Sequence, residues 1–226
     1  MFGHSDTAAV SGLVHAARML ADATLRNQTL QRCRRVMGAK VAGAWNVHSA
    51  ALIAEESLEY LVMFSSTAAL LGSPGQANYV AANASLDATA HLRSGMGSAA
   101  ASMQWGAWAG AGMATQHDTL TRTAAAGLGE VSVNVGMEAL GGVCCGQALG
   151  SQIAVVPIRW PQLLLWVAPP FLAHFRLHGP FADAKVPKVV TEEAAGTCVQ
   201  GVLAASVPEW TSNESDASPM IAEVAL

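Results

Sequence analysis

Two short, unbroken apolar runs constrain this chain most: YLVMFSS (60–66) and IAVVPI (153–158). Neither alternates polar with apolar residues, so each reads as a strand buried on both faces. VSGLVHAA (10–17) reads the same way, and SAAASMQWGAW (98–108) supplies a strand running into a loop. Residues 24–48 and 77–93 between them carry helical patterns. Alternation of helices with continuous apolar strands predicts an α/β fold, a Rossmann-like doubly wound parallel sheet covered on both faces. A glycine-rich middle precedes the last strand. From about 180 the pattern fades into Pro, Glu, Ser and Ala, so 1–180 reads as one domain portion and 181–226 as a flexible linker or tail.

Composition narrows the function. Hydrophobic residues make up 52% and charged residues 12%, the balance of a globular chain. A net charge of −4 argues against a nucleic-acid partner, and RCRR (32–35) reads as a solvated helix face. Cysteines 33, 144, 145 and 198 lack metal-ligand spacing, so no metal is expected; they read as reduced, buried thiols in the cytoplasm. Arg159 and four prolines interrupt the greasiest segment, IAVVPIRWPQLLLWVAPPFLAHF (153–175). It reads as a buried strand followed by an irregular packed segment, not a membrane span. MFGHSDTAAV lacks the basic start and apolar core of a signal peptide.

In sheets of this kind ligands sit at the carboxyl ends of the strands. Unusual polar residues cluster there in the sequence: Ser65 and Ser66 close one strand, and Trp105 and Gly106 follow another. His15 ends the first strand, where a satisfied core histidine and a ligand are both open. Lys40 falls on the apolar stripe Leu30, Cys33, Met37, Lys40, Ala44, Val47. On spacing alone a lysine there snorkels outward; the alternative is that partners hold it near a cleft. Tyr79 and Asn83 lie four apart and share a helical face. One reading of FSSTAALLGSPGQANYVAANASLDA (64–88) is a capped helix with a buried, satisfied tyrosine. The other is a phenol that protonates a carbonyl oxygen also held by the Ser66 hydroxyl, with a nearby ammonium lowering the phenol's pKa.

HAA after a strand, AKVAGAWNVH, FSSTAALLGSPGQANYVAANASLDA and QWGAWAGAGMA, in this order, resemble the ketoreductase domain of type I modular polyketide synthases. That family lies within the short-chain dehydrogenase/reductase superfamily, and the fatty acid synthase ketoreductase is a close alternative. The resemblance covers roughly residues 10–160. It implies Tyr79 as proton donor, Ser66 as the carbonyl-orienting hydroxyl, and Lys40 as the residue that binds the nicotinamide ribose and lowers the tyrosine's pKa. It also implies that Asn83 supports a proton-relay water, and that His15, Ala16, Ala17, Lys40, Trp105 and Gly106 contact NADPH. The reaction implied reduces a β-ketoacyl thioester on an acyl carrier protein to a β-hydroxyacyl thioester, alongside other synthase domains. Leu20-Ala21-Asp22 keeps the final Asp of a Leu-Asp-Asp motif, Pro74 and Asn78 match, and Leu71 replaces a Trp. Asp22, Pro74 and Asn78 are therefore the expected stereocontrol residues, for a D-configured (B-type) alcohol.

The sequence departs from the family in three places. Arg18 stands where the family's HAAG has glycine, a position where backbone approaches the cofactor. No glycine-rich phosphate loop follows an early strand; GGVCCG (141–146) is in the wrong half and GSPG lacks the pattern. The motifs begin near the family's fourth strand, so the chain reads as a carboxyl-terminal portion without the first mononucleotide-binding half. Such a portion is expected to bind NADPH poorly by itself. The competing classes are a non-catalytic scaffold fragment of a synthase and a stand-alone reductase of small ketones.

Overall fold

The computed structural model describes residues 10–53, 58–110, 117–146, 150–166 and 222–223. β1 (Gly12–His15) is followed by α1 (Leu30–Met37), a π turn over Gly38–Ala42, and α2 (Gly43–Ile53). Next come β2 (Tyr60–Ser66), α3 (Thr67–Leu71), α4 (Ala77–Gly95), β3 (Ala101–Trp105) and β4 (Ala107–Trp108). The remainder is α5 (His117–Ala125), β5 (Glu130–Val131), α6 (Val133–Cys144), β6 (Gln152–Val155), α7 (Trp160–Trp166) and β7 (Ala222–Glu223). The main sheet runs β1-β2-β3-β6-β7, with its first three pairings parallel. The expected α/β parallel sheet is therefore present. β7 adds an antiparallel edge to it, and β4 pairs with β5 in a separate two-stranded ribbon.

Both faces of the sheet are covered, as the unbroken apolar strands require. Successive strand residues point to opposite faces. Val62 joins Met103, Val131, Ala139 and Val155 on one side, whereas its neighbour Met63 packs with Ala44, Leu86 and Ala90 on the other. β2 matches its sequence limits, and α4 extends two residues past its expected end. Other limits moved. Regular pairing in β6 stops at Val155 because the next residues serve another partner: Pro157 O accepts from Gly129 N at 2.8 Å, and Ile158 bridges Leu128. The glycine-rich middle holds α6, capped by Ser132 Oγ, which accepts from Val135 N at 3.3 Å. Part of the segment expected to be irregular is α7.

The stripe over 24–48 also needs correction. Leu30, its first member, is 65% exposed, and the buried residues are Val36, Lys40, Ala44 and His48. These recur every four residues, because the π turn adds a residue per turn and breaks the 3.6 period. Cys33, Cys144 and Cys145 are free thiols, but Cys145 is exposed and the other two only half-buried. Cys198, most of the 181–226 tail and residues 167–180 lie outside the described residues. Among the described residues no helix is long and apolar enough to cross a membrane.

Gly127 joins the β4–β5 region to α7. Its φ is +83°, and an added Cβ would meet Arg159 O at 2.7 Å and Leu163 N at 2.9 Å, both backbone atoms. Gly127→Ala should therefore cost about 2–4 kcal/mol through left-handed strain and overpacking. Gly141 on α6 has open space at its Cβ, so Gly141→Ala should be neutral or stabilising by up to about 1 kcal/mol. Thermal unfolding of both variants checks the pair; equal melting temperatures would contradict this packing.

Candidate active site

A cleft of about 330 Å³ opens at the carboxyl ends of β1, β2 and β3. Ala16, Ala17 and Arg18 line it after β1, Ser65 and Ser66 after β2, Trp105 and Gly106 after β3, and Lys40 and Tyr79 from the helices. An aromatic wall closes one side. Phe64 and Trp105 lie 5.3 Å apart between ring centroids, and Trp105 and Trp108 lie 4.8 Å apart.

Of the two readings open for Lys40, the structure takes the one in which partners hold it at a cleft. The lysine does not snorkel; it is 3% exposed, and its Nζ donates to Phe64 O at 2.8 Å. The π turn rotates it inward, 5.5 Å from the centroid of the Tyr79 ring. Burial lowers its pKa to about 8, with the charge of Asp87 pulling the other way. Tyr79 sits in the first turn of α4 and is buried. Its phenol is not lowered as expected. Burial pushes it above its ordinary value, while Ser66, then Asn83 and Arg18, oppose that rise. Desolvation of a phenolate outweighs the polar neighbours, so the phenol keeps its proton.

Ser66 serves two purposes. Its Oγ accepts from Ala68 N at 3.1 Å and so caps α3, which leaves its own O–H free to donate. The capped-helix and site readings of this stretch thus coexist. Asn83 is fully buried and outside the cleft lining; its Nδ2 donates to Tyr79 O at 2.8 Å. Its Oδ1 is buried and has no hydrogen-bond partner among the described residues. His15 is half-buried and does not line the cleft. Its Nε2 lies 2.9 Å from Lys40 O, and burial lowers its pKa. The ring thus lies against the backbone of the Lys40 turn, off the cleft lining. Gly106 is required by packing, since an added Cβ would meet Val156 Cγ2 at 2.8 Å.

Two of the expected stereocontrol residues, Asp22 and Asn78, are tied into one network at the cleft mouth. Asn78 Nδ2 donates to Ala21 O, Gln76 Nε2 to Asp22 Oδ2, and Ala23 N to Gly75 O, each at 2.9 Å. These bonds fasten the loop after β1 to the start of α4. Asp22 and Leu71 line the cleft, whereas Pro74 and Asn78 are not among its lining residues.

Sequence reasoning missed a buried polar group beneath the site. Asp87 accepts from Ser102 Oγ at 2.6 Å and from Gln104 Nε2 at 2.8 Å. Two signals were present. Asp87 follows Asn83 by four on the same helical face, and Ser102 and Gln104 alternate along an otherwise apolar strand.

The KR domain family matches residues 3–110. The chain is 45% identical over 114 residues to polyketide synthase GfsA of Streptomyces halstedii, covering 50% of this chain and 2% of that protein. It is 37% identical over 158 residues to the phenolphthiocerol synthesis polyketide synthase type I Pks15/1 of Mycobacterium marinum, covering 69% and 7%. Among solved structures, an A-type ketoreductase from a modular polyketide synthase superposes with a TM-score of 0.63 at 32% identity, covering 68% of this chain and 32% of that one. The first ketoreductase of the tylosin synthase gives 0.62 at 31%, covering 69% and 34%. The chain thus spans a few per cent of these curated relatives and about a third of the solved chains.

Proposed function

From the membership of this chain in the ketoreductase-domain family of polyketide synthases, we propose that it carries the catalytic residues for reducing a β-ketoacyl thioester to a β-hydroxyacyl thioester. The acyl chain arrives on an acyl carrier protein, and the setting is cytoplasmic, among other synthase domains. One observation carries the reading: a protonated, buried Tyr79, a Ser66 hydroxyl with its proton free, and the Lys40 ammonium share one cleft at the strand ends.

The residues present fit the nicotinamide end of NADPH. Lys40 spends one N–H on Phe64 O, which leaves donors for ribose hydroxyls. Ala16, Ala17, Trp105 and Gly106 give the cleft walls room and apolar surface for a nicotinamide ring. Bound NADPH supplies the hydride. Ser66 and Tyr79 donate hydrogen bonds to the ketone oxygen and polarise it, and Tyr79 then gives up its proton to the forming alkoxide. The raised phenol pKa suits this order, because the ground state must hold the proton. The Lys40 charge favours the phenolate only as it develops, which is where stabilisation accelerates a reaction. The buried, unpartnered Asn83 Oδ1 supports a relay water that reprotonates the tyrosine.

The stereochemical part of the reading rests on the resemblance of Asp22, Pro74 and Asn78 to the family's motifs. Asp22, on the loop that Gln76 and Asn78 hold, and Leu71 line the cleft and are available to orient the substrate, for a D-configured (B-type) alcohol. Incubating the complete domain with NADPH and a β-ketoacyl thioester should yield the D-hydroxy product by chiral chromatography. An L-hydroxy product would overturn the stereochemical part, and absence of any hydroxyacyl product from folded, cofactor-bound protein would overturn the reading itself.

A further inference from the structure

We propose that residues 24–35, the turn and helix beside the cleft mouth, form a docking surface for an acidic protein, the carrier on which the acyl chain arrives. This rests on the ketone-reducing reading given above and adds to it the surface that brings the substrate in.

Charge is spread unevenly along the chain. Residues 10–53 hold six of the twelve Lys and Arg, but only Asp22 of the sixteen Asp and Glu. Four of the six, Arg26, Arg32, Arg34 and Arg35, fall within TLRNQTLQRCRR (24–35), which has no acidic residue. A chain of net charge −4 thus carries one concentrated basic segment. The structure turns that segment outward: Leu25–Asn27 forms a 3₁₀ turn, Thr29 caps α1, and all four arginines are exposed. Val36 is the buried residue of α1 and packs with Tyr79, so the helix lies over the site with its arginines in solvent. Among the described residues none of the four is in an ion pair, and only Arg32 makes a side-chain hydrogen bond.

Two bonds anchor the segment beside the cleft. Arg32 Nη1 donates to Asp22 O at 2.9 Å, and Gln28 Nε2 donates to Ala23 O at 3.2 Å. Leu20 and Asp22 line the cleft, so the basic segment borders its mouth. An acyl chain held on another protein's arm reaches the cleft only when that protein's surface rests against this border.

Exposed leucines decide between classes of acidic partner. Leu25, next to Arg26, is 81% exposed, and Leu30, one helical turn from Arg34, is 65% exposed. A phosphate backbone makes no use of such side chains, whereas protein interfaces combine arginine with apolar contact. Unneutralised arginines around two exposed leucines therefore fit an acidic protein surface with an apolar spot.

The test gives the complete domain one β-ketoacyl group in two forms, on an acyl carrier protein and on N-acetylcysteamine. Arg26→Glu, Arg34→Glu and Arg35→Glu together leave Arg32 and the cleft lining in place. They should raise KM for the carrier-borne substrate about tenfold, by weakening charge-steered encounter, and leave the small thioester's kinetics unchanged. Added salt should raise the parent's carrier KM and barely move the variant's. Leu25→Ser with Leu30→Ser, two exposed positions with little packing to lose, should raise the same KM and keep its salt dependence. A carrier KM that stays put in both variants, or moves in step with the small thioester's, overturns the proposal. So does a DNA duplex that binds at physiological salt and is released by the triple variant while the carrier KM stays fixed. A parent that reduces neither thioester refutes the ketone-reducing reading instead. Calorimetry of the carrier against the full chain then decides docking: weaker binding by the triple variant supports it, and equal binding overturns it.

Discussion

Tyr79→Phe in the complete domain should lower ketone reduction about 10²–10⁴-fold, the usual worth of a positioned general acid, while the fold survives. The ring of Tyr79 packs with Ala21, Val36 and Ala82, and the substitution leaves those contacts in place. Only the hydroxyl is lost. Because burial already holds the phenol protonated, removing it subtracts proton donation and little else, so kcat should fall with KM nearly unchanged. Ser66→Ala should lose less activity, since Tyr79 still donates to the ketone oxygen. It should also cost about 1 kcal/mol of stability, because Ser66 caps α3. Steady-state kinetics with a β-ketoacyl thioester, alongside thermal unfolding, separate the two effects.

The second large effect concerns the cofactor. Tight dinucleotide binding needs backbone N–H groups and a helix N-terminus around the pyrophosphate. The 226 residues carry no glycine-rich loop after an early strand. Among the described residues β1 pairs only with β2, so its outer edge is open, and Val10 and Val14 are 55% and 41% exposed there. An open parallel edge with apolar residues beside it invites a further strand. On the proposed reading, a dinucleotide-binding half seats on that edge, completes the sheet and brings the phosphate site.

The parts of the fold set by one-dimensional pattern were legible. β2 and α4 follow directly from an unbroken apolar run and an alanine-rich helix, and the Ser66–Tyr79 spacing pointed to a cleft that both residues line. Spacing put Lys40 on a buried stripe but could not choose between snorkelling and a held ammonium, because its acceptor, Phe64 O, comes from β2 and is brought there by tertiary packing. Asp87 was passed over because its partners, Ser102 and Gln104, reach it only through the pairing of β3 with β2 and the packing of α4 across both. The phenol's raised pKa was equally out of reach, since it depends on how deeply Tyr79 is buried. α6 was hidden by its glycines, although Val135, Ala139 and Val143 recur every four residues behind a serine cap.

The central claim is that this chain supplies the catalytic residues of a ketoreductase whose cofactor is held by a second half. The direct measurement joins the chain to a dinucleotide-binding half from a related ketoreductase, with the 226-residue chain alone as control. NADPH binding by calorimetry and β-hydroxyacyl product are both measured. The account predicts weak binding and no turnover for the chain alone, and micromolar binding with NADPH-dependent product for the joined protein, lost again in Tyr79→Phe. Micromolar NADPH binding by the chain alone, or a joined protein that binds NADPH and leaves the β-ketoacyl thioester unreduced, would contradict it.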